Sequence, residues 1–234
     1  MVVWFPIGSR VISSSRLFVH NVHEELLRLE VESRIYYRNQ EIGNLMNVQL
    51  AIFQKWIDLK TIERLKDQGA KIAIIPGEGR DSLKRYQTGE LSGDWEKAFD
   101  LCDFILTPYE DIQKDFSKAR PFYEVEKAED FVKIKKHTNT DKITLTWIGW
   151  PGTSSSIQIA EEGLKLFGNK HHAILYMICG VDPTFVIPQV CPPMEIRIVP
   201  WTLNYPELLL KGDIGICPKP HHSLSSANVP KTMM

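Results

Sequence analysis

The chain is predicted to be an α/β protein of two doubly wound, Rossmann-like lobes, the second incomplete. Two observations predict this. Short apolar runs alternate with amphipathic, helix-like segments almost from end to end of the 234 residues, a pattern that builds parallel sheets covered on both faces. The alternation occurs as two series, separated by a charged stretch poor in apolar residues, 120–141. The lobes are accordingly set at 1–125 and 142–234, with 126–141 as linker.

The first series opens with a strand over 2–6. Ser13, Ser14 and Ser15 offer N-caps to a helix whose apolar positions include Leu17, Val22, Leu26 and Leu29. Strands are expected over 32–37 and 48–54. Leu59, Ile62 and Leu65 mark one face of a helix ended by Gly69. A strand over 71–75 runs into the turn Pro76-Gly77-Glu78-Gly79, and the polar residues 80–93 read as a mobile loop. A helix over 94–101, a strand over 104–107 and a helix over 110–119 complete the lobe.

The second series starts with a strand over 142–149. Ile157, Ala160, Leu164 and Phe167 form one helical stripe ending at Gly168. Strands follow over 173–179 and 195–199. Pro206 suits the first turn of a helix running to Lys211, closed by Gly212, and a last strand covers 213–217.

Composition narrows the function. Hydrophobic residues make up 43% and charged residues 24%, and the formal net charge is −1. No basic excess exists to displace phosphate counterions, so nucleic acid is not an expected partner. No stretch reaches the 18 or so apolar residues of a membrane span, and the first residues lack the pattern of a secretion signal. The cytoplasm is the expected location, with contact to a membrane surface left open. The four cysteines, Cys102, Cys179, Cys191 and Cys217, show no Cys-x-x-Cys spacing and read as free thiols of a reducing compartment.

Ligands of doubly wound sheets bind at the carboxyl ends of the strands. The strand into Gly149-Trp150-Pro151-Gly152-Thr153-Ser154 leads to a Gly/Ser/Thr turn and a helix start. Free amides and the helix dipole there suit a phosphate, and an ordinary capped turn is the plainer alternative. Trp201, at a strand end, suits contact with a base or simple cover of the core edge. Lys219 and Lys231 suit either a diphosphate or solvent. Glu78, Arg80 and Asp81 lie in a strand-end loop, where charge suits an acceptor. His20 and His23 are spaced for a metal pair, but no third ligand follows, and the neighbours His171-His172 and His221-His222 diverge; no metal site is expected.

These segments together carry a resemblance. The series Thr146-Trp147-Ile148-Gly149-Trp150-Pro151-Gly152-Thr153, then Ile178-Cys179-Gly180, then Val199-Pro200-Trp201, Gly212-Asp213-Ile214-Gly215-Ile216-Cys217-Pro218 and Asn228-Val229-Pro230-Lys231 resembles the donor-binding half of GT-B glycosyltransferases of the GT4 type. Ser14-Ser15-Arg16-Leu17 and residues 48–55 resemble that family's first lobe more loosely. The resemblance implies a retaining glycosyltransferase that moves a sugar from a nucleotide-diphosphate sugar, without a cofactor or required metal, to an acceptor of unknown kind (sugar, lipid or protein). It implies a donor site lined by Gly149, Thr153, Gly180, Trp201 and Lys231, faced from the first lobe by Gly8 and Arg16, with Glu78, Arg80 and Asp81 on the acceptor side. The sequence departs from the family in lacking an Arg and a Lys after Gly149, and it stops soon after Lys231, which reads as a C-terminal truncation. Two alternatives remain: a non-catalytic α/β protein that binds nucleotide sugars or a partner, and a GT-B enzyme resembling sugar isomerases.

Overall fold

The computed structural model describes residues 1–38, 40, 45–76, 80–90, 93–126, 141–180, 185–190 and 192–218. The chain folds as two compact units, Met1–Lys127 and Ala128–Met234.

In the first unit six parallel strands form one sheet in the order β2-β1-β3-β4-β5-β6. They are β1 (Val2–Phe5), β2 (Ser33–Ile35), β3 (Leu50–Gln54), β4 (Lys71–Ile75), β5 (Phe104–Thr107) and β6 (Ala119–Pro121). Side chains alternate across the pleat. Val3, Phe5, Phe53, Ile72 and Ile74 pack on one face with Ile62 and Leu65 of helix α3 (Leu59–Asp67) and Phe99 of α5 (Asp94–Leu101). Trp4, Ile52, Ala73 and Ile75 pack on the other against Phe18, Val19, Val22 and Leu26. The unit is therefore doubly wound. Its chain order reverses between β1 and β3, which sets the switch point at their carboxyl ends.

The helix on the second face differs from expectation at its start. Ser13–Ser15 (α1) lie inside the helix rather than capping it. Ile12 holds the N-cap position and offers no side-chain oxygen. The next five residues, Arg16–His20, form a π-helical turn, and Asn21–Arg28 (α2) resumes the α form. A π-turn leaves backbone groups outside the regular ladder. Here the Leu17 carbonyl accepts the Val125 amide at 3.1 Å, and Asn21 Nδ2 donates to the Val125 carbonyl at 2.6 Å.

Three further expectations in this unit are corrected. Residues 80–87 are helix α4 (Arg80–Gln87), not loop, because Leu83 is fully buried against the core with Tyr86 beside it. The helix expected over 110–119 is only α6 (Glu110–Asp115). The chain then forms β6, whose Ala119, Arg120 and Pro121 pair with Ile105, Leu106 and Thr107. An edge strand tolerates the missing amide of Pro121.

In the second unit β7 (Lys142–Ile148), β8 (His172–Cys179), β9 (Glu195–Pro200) and β10 (Ile214–Gly215) form a parallel sheet in the order β10-β7-β8-β9. Leu145, Trp147, Leu175 and Met177 pack with Ile157, Leu164, Val190 and Met194. The segment Pro151–Ala160 is 3₁₀-helical before α7 (Glu161–Lys170) begins. Gly168 does not end that helix. A Cβ there would press on Pro193 and Met194 at 3.0 and 3.3 Å, so the glycine admits a neighbouring loop. Helix α8 (Tyr205–Leu209) stops two residues short of Lys211, and the last strand is shorter than expected.

One device recurs in both units. Asp103, just before β5, accepts the Ile72 amide at 2.9 Å and returns its own amide to the Ile72 carbonyl at 2.8 Å. Asp213, just before β10, does the same with Thr144, at 2.8 and 2.6 Å. Each carboxylate sets the register of its strand at the amino edge of the sheet. Among the described residues no helix is long and apolar enough to cross a membrane.

Candidate functional site

The order β9-β8-β7-β10 places the reversal of the second sheet between β7 and β10, the point outside whose carboxyl ends doubly wound sheets bind their ligands. Register brings the expected donor residues to this one edge. The Gly149 amide donates to the Ile178 carbonyl at 3.2 Å, and the Trp201 amide to the Cys179 carbonyl at 3.1 Å. Gly149, Gly180 and Trp201 thus follow directly on three adjacent strands. Among the described residues a Cβ on Gly180 would meet Pro151 alone, at 3.5 Å. The Trp201 ring stacks on Tyr205 with centroids 5.9 Å apart, and Trp150 is 70% exposed.

The turn after β7 is built differently from a standard phosphate-gripping helix start. Pro151 at the first position brings no amide, and the 3₁₀ pattern already ties the Thr153 amide to the Trp150 carbonyl at 2.9 Å. Gly152 is left as the amide at this start without an acceptor in the helix. The Thr153 hydroxyl also donates to the Trp150 carbonyl, at 2.8 Å, and the buried Ser154 hydroxyl accepts the Val186 amide at 2.6 Å. Gly149 serves packing: a Cβ there would lie 2.5 and 2.8 Å from the buried Trp147 ring. Gly212 likewise lets the chain pass over Thr146, whose hydroxyl a Cβ would overlap. Lys219 and Lys231 lie outside the described residues.

In the first unit Gly8 follows β1, and Arg16 opens the π-turn. Arg16 is 7% exposed, with Nη2 3.7 Å from Glu126. His20 closes the same turn. Burial pushes its pKa below the ordinary histidine value, against the pull of a hydrogen bond to the Gly8 backbone. His23 turns to Ser33 Oγ at 2.8 Å, so the two histidines serve separate partners. Among the described residues no group of three or more His, Cys, Asp or Glu is placed to hold a metal. Glu78 lies outside the described residues. Arg80 and Asp81 begin α4, which places their backbones after the carboxyl end of β4.

The residue that sequence reasoning missed is Gln54, the last of β3. It is fully buried. Its Oε1 accepts the Ile7 amide at 3.4 Å and the Ser15 hydroxyl at 3.2 Å, while Nε2 has no hydrogen-bond partner among the described residues. A glutamine closing an otherwise apolar buried strand, Leu50-Ala51-Ile52-Phe53-Gln54, was the available signal.

No family model matches the chain, and no curated protein matches it significantly. Solved structures do. One is UDP-GlcNAc 2-epimerase from Neisseria meningitidis bound to UDP-GlcNAc, with a TM-score of 0.51 over 92% of this chain and 77% of that one at 11% identity. Another is the lipopolysaccharide outer core galactosyltransferase WaaB in apo form, also at 0.51, over 91% and 71% at 9% identity. At such identities the likeness is one of fold: two parallel α/β sheets of the glycosyltransferase-like GT-B kind.

Proposed function

We propose that the chain is a retaining glycosyltransferase of the GT4 type that takes its sugar from a nucleotide-diphosphate donor at the carboxyl edge of the second sheet. The supporting observation is the register that lines up Gly149, Gly180 and Trp201 on adjacent strands beside the switch point. In this reading Trp201, braced by Tyr205, covers the base. The Gly152 amide and the helix start face the diphosphate, and Lys231 supplies the charge that the turn lacks. Transfer needs the departing diphosphate and the positive charge growing on the sugar to be stabilised together. Glu78, Arg80 and Asp81 contact the acceptor. The free thiols of Cys102, Cys179 and Cys217 accord with a cytoplasmic setting.

Calorimetric titration of the purified chain with UDP, GDP and ADP sugars tests the donor site. Binding of one of them is expected, and a folded sample that takes none refutes the proposal. A second reading, binding without turnover, is favoured by the engagement of the Thr153 and Ser154 hydroxyls within the chain. Donor hydrolysis or transfer that Lys231→Ala abolishes selects the enzyme. Saturable binding with no product selects the binder.

A further inference from the structure

We infer that His23, Ser33 and Trp4 form an acid-sensitive latch on the edge strand β2, closed while His23 is neutral and released when it takes up a proton. The latch belongs to the outer edge of the first sheet and does not rest on the sugar-donor reading.

Strand β2 is three residues long and pairs with β1 at the margin of the sheet. Its first residue, Ser33, is buried, and the hydroxyl sits between two rings. The buried Trp4 indole of β1 donates to Ser33 Oγ at 2.9 Å, and His23 Nδ1 of α2 lies 2.8 Å from the same oxygen. An indole nitrogen can only donate, so the serine accepts from Trp4. Its own hydrogen then goes to His23 Nδ1, since no other acceptor meets this hydroxyl among the described residues. That direction fixes a neutral imidazole with Nδ1 bare and the proton on Nε2. The relay from Trp4 through Ser33 to His23 thus ties β1, β2 and α2 together.

Protonation removes the acceptor. A charged imidazole carries hydrogen on both nitrogens, so Nδ1–H would meet Ser33 Oγ. The oxygen can accept it on a second lone pair, but the hydroxyl hydrogen is then left unpaired at a buried position. His20 supplies the contrast. Its Nε2 lies 3.4 Å from the hydroxyl of Tyr37, two residues beyond β2 and only half-buried. That hydroxyl can turn from donor to acceptor and give its hydrogen to water. The charged groups around His23 are few. On its own helix they are His20 and Glu24, and Glu24 pairs with Arg10 of the loop after β1. On and beside β2, Glu32 and Arg34 pair with each other. Burial outweighs the pull of Glu24 and pushes the His23 pKa below the ordinary 6.5. The open strand therefore takes up the proton first. The latch is complete above about pH 6.5 and weakens as pH falls through that value.

The test uses the full chain without any nucleotide sugar, so a failed sugar-donor assay leaves it standing. Nitrogen NMR of the histidine rings reads the tautomer, and neutral His23 should show a bare Nδ1. Hydrogen exchange, corrected for the intrinsic rate at each pH, reads the opening of β2. It is followed at the Trp4 indole and at the Tyr36 amide, which donates to the Trp4 carbonyl at 2.8 Å. Opening should rise about tenfold between about pH 7.5 and 5, the factor that one lost hydrogen bond carries. His20→Gln should keep that rise. His23→Gln, whose side-chain oxygen accepts from Ser33 at any pH, should abolish it. A proton on Nδ1 of neutral His23, opening that changes less than twofold over this range, or an undiminished rise in folded His23→Gln overturns the inference.

Discussion

Replacing Asp103 tests how the sheet keeps its register. The carboxylate accepts the amide of Ile72, a fully buried residue, and meets Lys71 Nζ at 3.1 Å and Lys66 Nζ at 3.4 Å. Asp103→Ala strips the acceptor from a partly buried amide, a loss of about 1–3 kcal/mol. The two ion pairs add less than about 1 kcal/mol each, since Lys71 is 63% and Lys66 34% exposed. The alanine variant should therefore lose about 2–4 kcal/mol, and Asp103→Asn, which keeps an amide-accepting oxygen, about 1 kcal/mol or less. Urea unfolding followed by far-ultraviolet circular dichroism measures both. The sign with pH is fixed as well. Burial pushes the Asp103 carboxyl up, but the Ile72 amide, Lys71 and Lys66 outweigh it and hold the pKa below 3.8. A carboxylate lowered in this way lends its stability above its unfolded pKa and withdraws it as pH falls through the folded value. The wild-type advantage over Asp103→Asn should accordingly shrink in acid. Equal losses for Asn and Ala, or no loss for Ala, would refute the hook as the source of register.

The remaining expectations concern packing, protonation and thiol access. Gly212→Ala drives a methyl group into Thr146 and should cost about 1–3 kcal/mol, read from the urea midpoint. Gly149→Ala should displace the Trp147 ring and alter near-ultraviolet circular dichroism. His20 is held neutral by burial, so the unfolded chain takes up the proton first. Its contribution is complete above the ordinary value of 6.5 and is lost as pH falls below it; melting temperatures of His20→Gln should depend less on pH between about 6.5 and 5. Burial pushes the Cys102 thiol up to about 11, so iodoacetamide at pH 8 should label exposed Cys217 first and leave Cys102 and Cys179 until unfolding, as peptide mass spectrometry would show.

The doubly wound α/β fold was legible because most of the central strands are runs of three to seven apolar residues closed by turns, from Phe104-Ile105-Leu106 in β5 to residues 173–179 in β8; β4 and β5 lie at the positions expected. Elements lacking such a run were not legible. Helix α4 has only Leu83 and Tyr86 to bury, among Arg80, Asp81, Lys84 and Arg85, so only the core that receives Leu83 reveals it. Strand β6 is Ala-Arg-Pro and exists because β5 offers it a ladder. At the candidate site, strand ends could be read from glycine and proline. Which way a hydroxyl turns could not: Thr153 and Ser154 look like ligand donors until their acceptor and donor within the chain are seen. Gln54 became informative only when its two donors, Ile7 and Ser15, both far from it along the chain, were placed beside it.

The π-turn at Arg16–His20 has a consequence for chain length. It carries about one residue more than an α-helical turn of the same span. Wound as regular α-helix, the same number of residues would rephase everything downstream by about 100°. Asn21 would swing away from Val125, and Val22 and Leu26 would leave the sheet they cover. The surplus residue thus keeps two faces of one helix in step, one gripping the segment that leads out of the first unit and the other sealing the core.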